Sequence, residues 1–472
     1  MALNRSKEGE GASGDGRIRK GFSVLRVLRL RDFRLLWLGQ GISVLGDQFY
    51  LIALPWLVLQ MRGSAFSVGS VLALAGIPRA LFMLLGGAVT DRFSPRLIML
   101  LSNLIRMLCV ALLAALVISG DIRMWMVYMF ALSFGLADGF FFPAQHAIIP
   151  HIVEPDDLQA GNALVEGTSQ VSVFAGPALA GVLIALLSGG RAVAGAELSP
   201  DLRSLGVAFV VDAATFLVSI LSLLLMHVGR RTGTENQASA PPPKVFASIL
   251  EGLRYVWKDV TLRTVFLVIA AVQLFVVGPV LVGIPVLAKT RLPEGVAAFG
   301  LVMSALGGGS LFGVILAGLL PKPRRSWMGM IILTAVVAAG MGLASLGFAR
   351  STFAVSVTVL MMGTASGYVT ILLMTWLQRR SPGQMLGRMM GLLNFAYFGL
   401  IPVSQVVSGF LIQRSLTWVF RGAGVMMAVL ALWAATIPAL RGIGVEVGMP
   451  EPASTEGGNP QTSRRRPRPR GD

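Results

Sequence analysis

Charge is what this sequence has least of. Asp, Glu, Lys and Arg make up only 13% of its 472 residues, against about 25% in a soluble domain. That is too little to coat a water-facing surface. Cysteine is nearly absent: the single Cys109 cannot form an intrachain disulfide, so the redox compartment is not readable. Histidine is scarce too. His146, His151 and His227 share no metal-ligand spacing, and no phosphate-binding loop ending in Lys-Ser/Thr occurs. The expectation is therefore not an enzyme, with no metal, no cofactor and no ATP-driven step. The GGGS run at 307–310 lies inside an apolar segment and reads as close helix packing.

What the sequence has in abundance is apolar length. Its hydrophobic fraction is 54% and its mean hydropathy is +0.73. About 20 mostly apolar residues cross the hydrocarbon core. Twelve such runs are expected at 33–60, 67–89, 97–119, 124–145, 163–188, 205–226, 264–287, 298–320, 327–347, 352–377, 389–412 and 416–440. The fold class is an all-α membrane protein with twelve transmembrane helices in two six-helix bundles. The parts are a basic N-tail (1–32), an N-terminal bundle (33–226), a polar connector (227–263), a C-terminal bundle (264–440) and a basic Gly/Pro/Ser-rich tail (441–472). The first apolar run is too long for a signal-peptide core and is read as an uncleaved span.

The net charge is +17. It could suggest nucleic acid, but its placement points to a membrane. With the N-terminus inside, Lys and Arg are roughly threefold more frequent on the inner side than on the outer. Both termini are thus expected in the cytoplasm, with the basic tails against anionic lipid and no nucleic-acid partner. In the connector, Ile249, Leu253, Val256 and Trp257 recur at helical spacing, which predicts an amphipathic surface helix. Trp37, Trp56, Trp125, Trp327, Trp376 and Trp418 fall near span ends, where an interfacial belt is expected.

The two halves repeat. A shift of 231 places Gly87 on Gly318 and Asp91 on Lys322, one of 228 places GVLIALL (181–187) on GFLIQRS (409–415), and one of 230 places ALPWLV (53–58) on GIPVLA (283–288). Nearly equal shifts in the correct order indicate internal pseudo-symmetry, common among transporters. The repeat also exposes an asymmetry. Asp47 falls opposite Val277, Arg79 opposite Ser310, Arg106 opposite Val337 and Asp138 opposite Ser366. A charge at the centre of a membrane helix costs about 2.5–3.5 kcal/mol on insertion scales. Asp47, Arg79, Arg106 and Asp138 are therefore expected to face one another or a polar cavity, as a proton-coupling cluster. Asp47 is the favoured carrier, because a carboxylate that gains and loses an Arg neighbour as the protein rocks can take up and release a proton. The alternative is a permanent Asp–Arg pair that only holds helices together. Asp212 reads as a weaker candidate that bonds neighbouring helices. The loop 146–162 carries Glu154, Asp156 and Asp157, whereas its repeat partner 378–390 carries Arg379, Arg380 and Arg388. These loops are expected to attract each other when the cytoplasmic side closes.

The segment GGAVTDRFSPR (86–96) resembles the loop signature of the major facilitator superfamily at Gly87, Asp91, Arg92 and Arg96, with Ser94 and Pro95 departing from it. The resemblance implies a conformational switch at the cytoplasmic junction for Asp91 and Arg92. SVFAGPALAG resembles the antiporter signature of exporting members at Gly176, Pro177 and Gly181, with Ser172 and Ala180 in place of glycines. LGDQFYLIALPWLVLQ, FFFPAQHAIIPHIVEPDDLQAGNAL and VVDAATFLVS are similar to the efflux branch that includes macrolide, tetracycline-type and siderophore exporters. The resemblance covers nearly all of residues 30–440. It implies a proton antiporter in the cytoplasmic membrane that exports a small amphipathic substrate, acting as a monomer and driven by the proton gradient. An importer, facilitator or lipid transporter of the same fold is the nearest alternative, and a non-transporting membrane receptor or scaffold a more distant one. The substrate route is expected between the halves, lined by Phe49, Gln273, Phe275, Asn394, Phe395 and Phe398, whose aromatic and amide groups suit amphipathic molecules.

Overall fold

A computed structural model describes residues 25–61, 63–90, 93–189, 202–227, 253–321, 323–324, 327–380 and 386–438, without the side chains of 84–88 and 386–388. Within these residues every long element is a helix, and twelve are long and apolar enough to cross a membrane. They are α1 Arg31–Gln60, α2 Ala65–Thr90, α3 Pro95–Ser119, α4 Met124–Ile152, α5 Leu158–Leu187, α6 Leu202–Leu225, α7 Val260–Arg291, α8 Val296–Leu319, α9 Met328–Leu346, α10 Thr352–Arg380, α11 Leu386–Ile412 and α12 Leu416–Thr436. All twelve expected spans are present. An even number of crossings puts α1's start and α12's end at one face, called the termini end below; the opposite face is the far end.

Local chemistry sets the boundaries. Pro95 opens α3, where its missing N–H costs nothing, and Gly120 closes it at φ 85, a left-handed conformation that glycine adopts freely. The connector ends four residues earlier than its composition suggests. The Asp259 carboxylate accepts from the amides of Thr261 (2.8 Å) and Leu262 (3.2 Å), which starts α7 at Val260. Just before it, residues 253–258 form a short helical segment. Val256 is buried against the C-terminal bundle while Leu253 and Trp257 are exposed, and Ile249 lies outside the described residues. Trp125, Trp327 and Trp418 are exposed near span ends, as the belt requires. Trp56 is not: it is 3% exposed and packs in the protein core, because α1 is enclosed on most sides.

Among the described residues, α7 and α11 depart from regular α geometry, both in the C-terminal half. α7 carries a π-helical turn at Gln273–Val277. α11 is interrupted between Phe398 and Ile401, with Pro402 in the first turn of its second part. The halves pack in matching fashion. α2 lies on α4 as α8 lies on α10, and α1 and α3 lie on α6 as α7 and α9 lie on α12. Between the halves, α2 crosses α11 and α5 crosses α8, two contacts that the repeat exchanges.

Where the core is shared decides the shape. At the far end one apolar cluster draws on both halves, running from Ile52, Leu57 and Val68 to Val282, Leu287 and Phe299. Toward the termini end there are two separate clusters. One is built on Phe33, Met99, Ile148 and Leu223 of the N-terminal half, the other on Leu262, Ile332, Leu377 and Met427 of the C-terminal half. The halves are therefore joined at the far end and parted at the termini end.

Small residues permit the join. A Cβ on Gly300 would come within 2.3 Å of the Pro177 carbonyl oxygen, one on Gly307 within 2.5 Å of that of Val173, and one on Gly69 within 2.2 Å of that of Gln405. Ala178 N–H donates across the interface to Ser304 Oγ at 2.8 Å. Lys289 Nζ donates to the Leu59 carbonyl, and Gln413 Nε2 to Ser64 Oγ at 2.6 Å. Leu59 and Lys289 differ by the repeat shift of 230, so this contact sits at the pseudo-two-fold axis.

Candidate functional site

The four embedded charges of the N-terminal half meet where the shared core divides. Arg106 of α3 is 1% exposed. Its Nη1 lies 2.9 Å from Asp138 Oδ1 on α4 and 3.9 Å from Asp47 Oδ2 on α1. Its Nη2 donates to Asn103 Oδ1 one turn earlier on α3, and Asn103 Nδ2 donates to Ser219 Oγ of α6 at 2.9 Å. The guanidinium sits over the rings of Phe141 (4.0 Å) and Phe216 (4.6 Å), with Phe134 at 5.9 Å. A buried cation is thus held by one carboxylate, one carboxamide and aromatic faces, which together offset its desolvation.

Arg79 of α2 completes the cluster differently. Its Nη1 lies 3.4 Å from Asp138 Oδ2, over the Phe142 ring at 5.6 Å, and its side chain is 44% exposed. Asp138 therefore takes one arginine on each oxygen, a buried one and an accessible one. Asp47 is not tightly paired. Its side chain is 31% exposed, Oδ2 makes only the long contact to Arg106, and Oδ1 has no hydrogen-bond partner. Since the far end is filled by the shared core, the open side of Asp47 and Arg79 lies toward the termini end.

Asp212 differs from its expected role. It is fully buried, and neither carboxylate oxygen has a hydrogen-bond partner, so it does not bond a neighbouring helix. It is packed against α1 at Gly46, where a Cβ would lie 2.8 Å from Asp212 Oδ1. Tyr50, one turn beyond Asp47, stacks on Phe134 (4.3 Å between centroids), and its hydroxyl is also without a partner.

The motif residues fall in two places. Gly176, Pro177 and Gly181 lie where α5 crosses α8, Gly181 facing Val296 and Gly300, while Gly176 backs onto Gln48 of α1. Arg96 donates from Nε to the Leu223 carbonyl at 2.8 Å and from Nη2 to that of Leu224 at 3.0 Å, which caps α6 and ties it to the start of α3. Gly87 lies in the last turns of α2, and Asp91 and Arg92 lie outside the described residues. Among the described residues the charged loops make no ion pair across the halves. Asp157 takes two guanidinium contacts from Arg26, both at 2.6 Å, and Arg380 pairs with Asp259 at 2.7 Å, each within its own half. Burial alone would raise the Asp259 carboxyl. The Arg380 guanidinium and the amides of Leu262 and Thr261 outweigh it and hold the group below its ordinary value.

The expected substrate wall divides. Asn394, Phe395 and Phe398 are exposed on α11, beside its interruption. Phe275 is half-buried in the C-terminal cluster, and Gln273 is buried, donating to the Tyr397 carbonyl. Phe49 is 8% exposed and packs within the shared far-end core rather than on an open wall. Asn103, Ser219 and the aromatic pair Phe141 and Phe216 are functional neighbours that the sequence reading did not single out. Asn103 could have been found, since it lies three residues before Arg106 on the same helix face.

Residues 36–404 match the Major Facilitator Superfamily. The chain is 26% identical over 408 residues to the multidrug efflux pump Tap of Mycolicibacterium fortuitum, an alignment covering 84% of this chain and 93% of that protein. It is 25% identical over 367 residues to the enterobactin exporter EntS of Salmonella typhi, covering 76% and 80%. In three dimensions it superposes on the nucleoside transporter NupG with a TM-score of 0.63 at 13% identity, covering 86% of this chain and 98% of that one. A parted two-bundle fold, a charged cluster at the division and a family match spanning most of its length place this chain in the Major Facilitator Superfamily, as a multi-pass membrane transporter.

Proposed function

We propose that the protein exports small amphipathic molecules across the cytoplasmic membrane by proton antiport, with both termini in the cytoplasm. The observation that carries this reading is the division of one shared far-end core into two at the level of Asp47, Arg79, Arg106 and Asp138. With the termini in the cytoplasm, the conformation is inward-facing and ready to load a cytoplasmic substrate. The drug and siderophore exporters among its relatives support the direction and the amphipathic class.

Alternating access supplies the mechanism. In the inward-facing state Asp47 is wet on one side and makes a long contact to Arg106. Closing the termini end brings α1 and α2 toward α7 and α11 and changes the water around Asp47 and Arg79. A proton carried by Asp47 and a substrate against Asn394, Phe395 and Phe398 then exchange across the same crevice. Everted membrane vesicles test this. Accumulation of a drug or siderophore that collapses on adding a protonophore supports antiport; movement indifferent to the gradient refutes it in favour of a facilitator.

A further inference from the structure

The polar cluster leaves one carboxylate unaccounted for. Asp212 on α6 is 0% exposed, and both its oxygens lack a hydrogen-bond partner. Thr215 Oγ1, whose hydroxyl lies beside the carboxylate, donates to the Asp212 backbone carbonyl at 2.7 Å. The terminal nitrogens of Arg106 are engaged by Asp138 and Asn103. A fully buried carboxylate carries a large desolvation cost, which the attraction of Arg106 and the neighbouring Thr215 hydroxyl offset only in part against the repulsion of Asp47 and Asp138. Yet the fold makes room for this one. Only a glycine at position 46 lets α1 approach, since a Cβ there would fall 1.9 Å from Thr215 Oγ1 and 2.8 Å from Asp212 Oδ1. Asp47, the next residue on α1, also carries an unpartnered oxygen, and Tyr50 an unpartnered hydroxyl.

We propose that Asp212, seated in the Gly46 notch and flanked by Asp47 and Tyr50, is the binding site for the monovalent cation that couples to transport. This rests on the antiport reading above and deepens it: the coupling charge is held on α6, behind the water-accessible cluster, with Asp47 as its entry from the crevice. The chemistry recognised is a small monovalent cation, either a proton that bonds to one carboxylate oxygen and leaves a neutral acid, or a sodium ion shared among carboxylate, hydroxyl and water oxygens. The groups that reach Asp212 electrostatically are Asp47 of α1, Arg106 of α3 and Asp138 of α4. Tyr50 of α1 is linked in turn to Asp212 and to Cys109 of α3. The titratable group of α5, Glu166, is exposed and bonded to Gln170 at 2.8 Å. Ion-paired Asp138, by contrast, has its charge already offset by two arginines.

The experiment needs neither a substrate nor a gradient. Thermal unfolding of the purified protein in lipid nanodiscs is followed across pH at constant salt, and across sodium chloride against choline chloride at constant pH. A cation that binds the folded state raises the midpoint by a constant increment for each tenfold rise in concentration above its dissociation constant. Wild type is expected to show this response to one of the two cations, which identifies it. Asp212→Asn is expected to remove this increment, leaving only the acid limb that carboxylates such as Asp259 set, and Glu166→Gln, at an exposed carboxylate outside the cluster, to keep it. Should Asp212→Asn not fold, Asp212→Glu, which retains the carboxylate one methylene further out, is expected to move the response at least tenfold in concentration. A wild type indifferent to both cations overturns the proposal, as does either Asp212 variant behaving as wild type. Because no transport is measured, vesicles without gradient-driven uptake would sink the antiport reading and leave this site standing, and the reverse holds equally.

Discussion

Replacing Arg106 with Leu should be the most damaging single change in the molecule, for reasons separable into parts. The guanidinium is 1% exposed, 2.9 Å from Asp138 Oδ1, and over two phenyl rings at 4.0 and 4.6 Å. Removing one member of a buried pair strands the other and costs about 3–5 kcal/mol. Loss of the desolvated cation–π contacts contributes about 2 kcal/mol of what the cation supplied. Arg79 offers little relief. It touches Asp138 only at 3.4 Å and is nearly half exposed, so its pairing is worth about 1 kcal/mol or less after solvent screening. Removing Asp138 together with Arg106 should cost less than the sum of the two single changes, because the charges then left without these partners, Arg79 and Asp47, are the part-exposed ones. The expected coupling in the Arg106→Leu, Asp138→Leu cycle is about 2–3 kcal/mol, the upper end for directly contacting groups. Reversible unfolding in mixed detergent micelles with increasing sodium dodecyl sulfate measures it. Additive single effects would refute the reasoning, showing that the two groups do not compensate each other in the folded state.

Arg79→Ala should lower unfolding stability by about 1 kcal/mol or less in the same titration, while transport in everted vesicles is expected to fall, because Asp138 loses the arginine on its second oxygen. Gly300→Val should wedge α5 from α8, since even a Cβ lies 2.3 Å from the Pro177 carbonyl; overpacking of about 1–3 kcal/mol is read as increased labelling of cysteines introduced at the far end. For Asp259, whose folded-state carboxyl is held below its ordinary value, the stabilisation is present above that ordinary value and is lost as pH falls through the lowered one. Asp259→Asn should therefore flatten the acid limb of the stability profile, with about 1 kcal/mol or less of the part-exposed pair lost at neutral pH, since Asn caps a helix as well as Asp does. Lys289→Met removes the far-end bond to the Leu59 carbonyl, worth about 1.5–3 kcal/mol for a charged donor before discounting its partial exposure. An outward shift of roughly tenfold in the conformational equilibrium, seen by fluorescence pairs across the far end, is the expected sign.

Much of this was legible in the sequence because hydrocarbon is an unforgiving solvent. Helices must satisfy their own backbones there, so apolar length alone yields twelve spans. A charge there must find a partner, so Asp47, Arg79, Arg106 and Asp138 could be grouped from the sequence, and the structure does bring all four together. What composition could not reveal is who pairs with whom. Arg106 and Arg79 share Asp138, while Asp47 is left with one long contact, because helix rotation rather than depth decides which faces meet. The surroundings of Asp212 were not legible for a similar reason: its depth along α6 says nothing of the glycine notch opposite. Trp56 and Phe49 were misplaced by counting residues from a span end when α1 is enclosed by neighbours on nearly every side.

The asymmetry between the halves acquires a physical meaning once the C-terminal counterpart of the charged cluster is located. Asp47 corresponds by the repeat to Val277, which lies in the π-helical turn of α7. A π turn leaves backbone groups out of register, and here they are met by neutral partners: Ser404 Oγ donates to the Leu274 carbonyl at 2.5 Å, and Gly278 N–H donates to Ser404 Oγ at 2.8 Å. Gln273 reaches the Tyr397 carbonyl just before α11 is interrupted. The C-terminal half thus answers the N-terminal charges with bent backbone and hydroxyls. Neutral hydrogen bonds of this kind are worth about 1 kcal/mol each and can break and re-form as α7 and α11 tilt, whereas a buried ion pair resists separation by several kcal/mol. Division of labour follows. Under the antiport proposed above, ions bind and unbind within a half that stays electrostatically braced, and the compliant half supplies the aromatic face and the bending that let the crevice close.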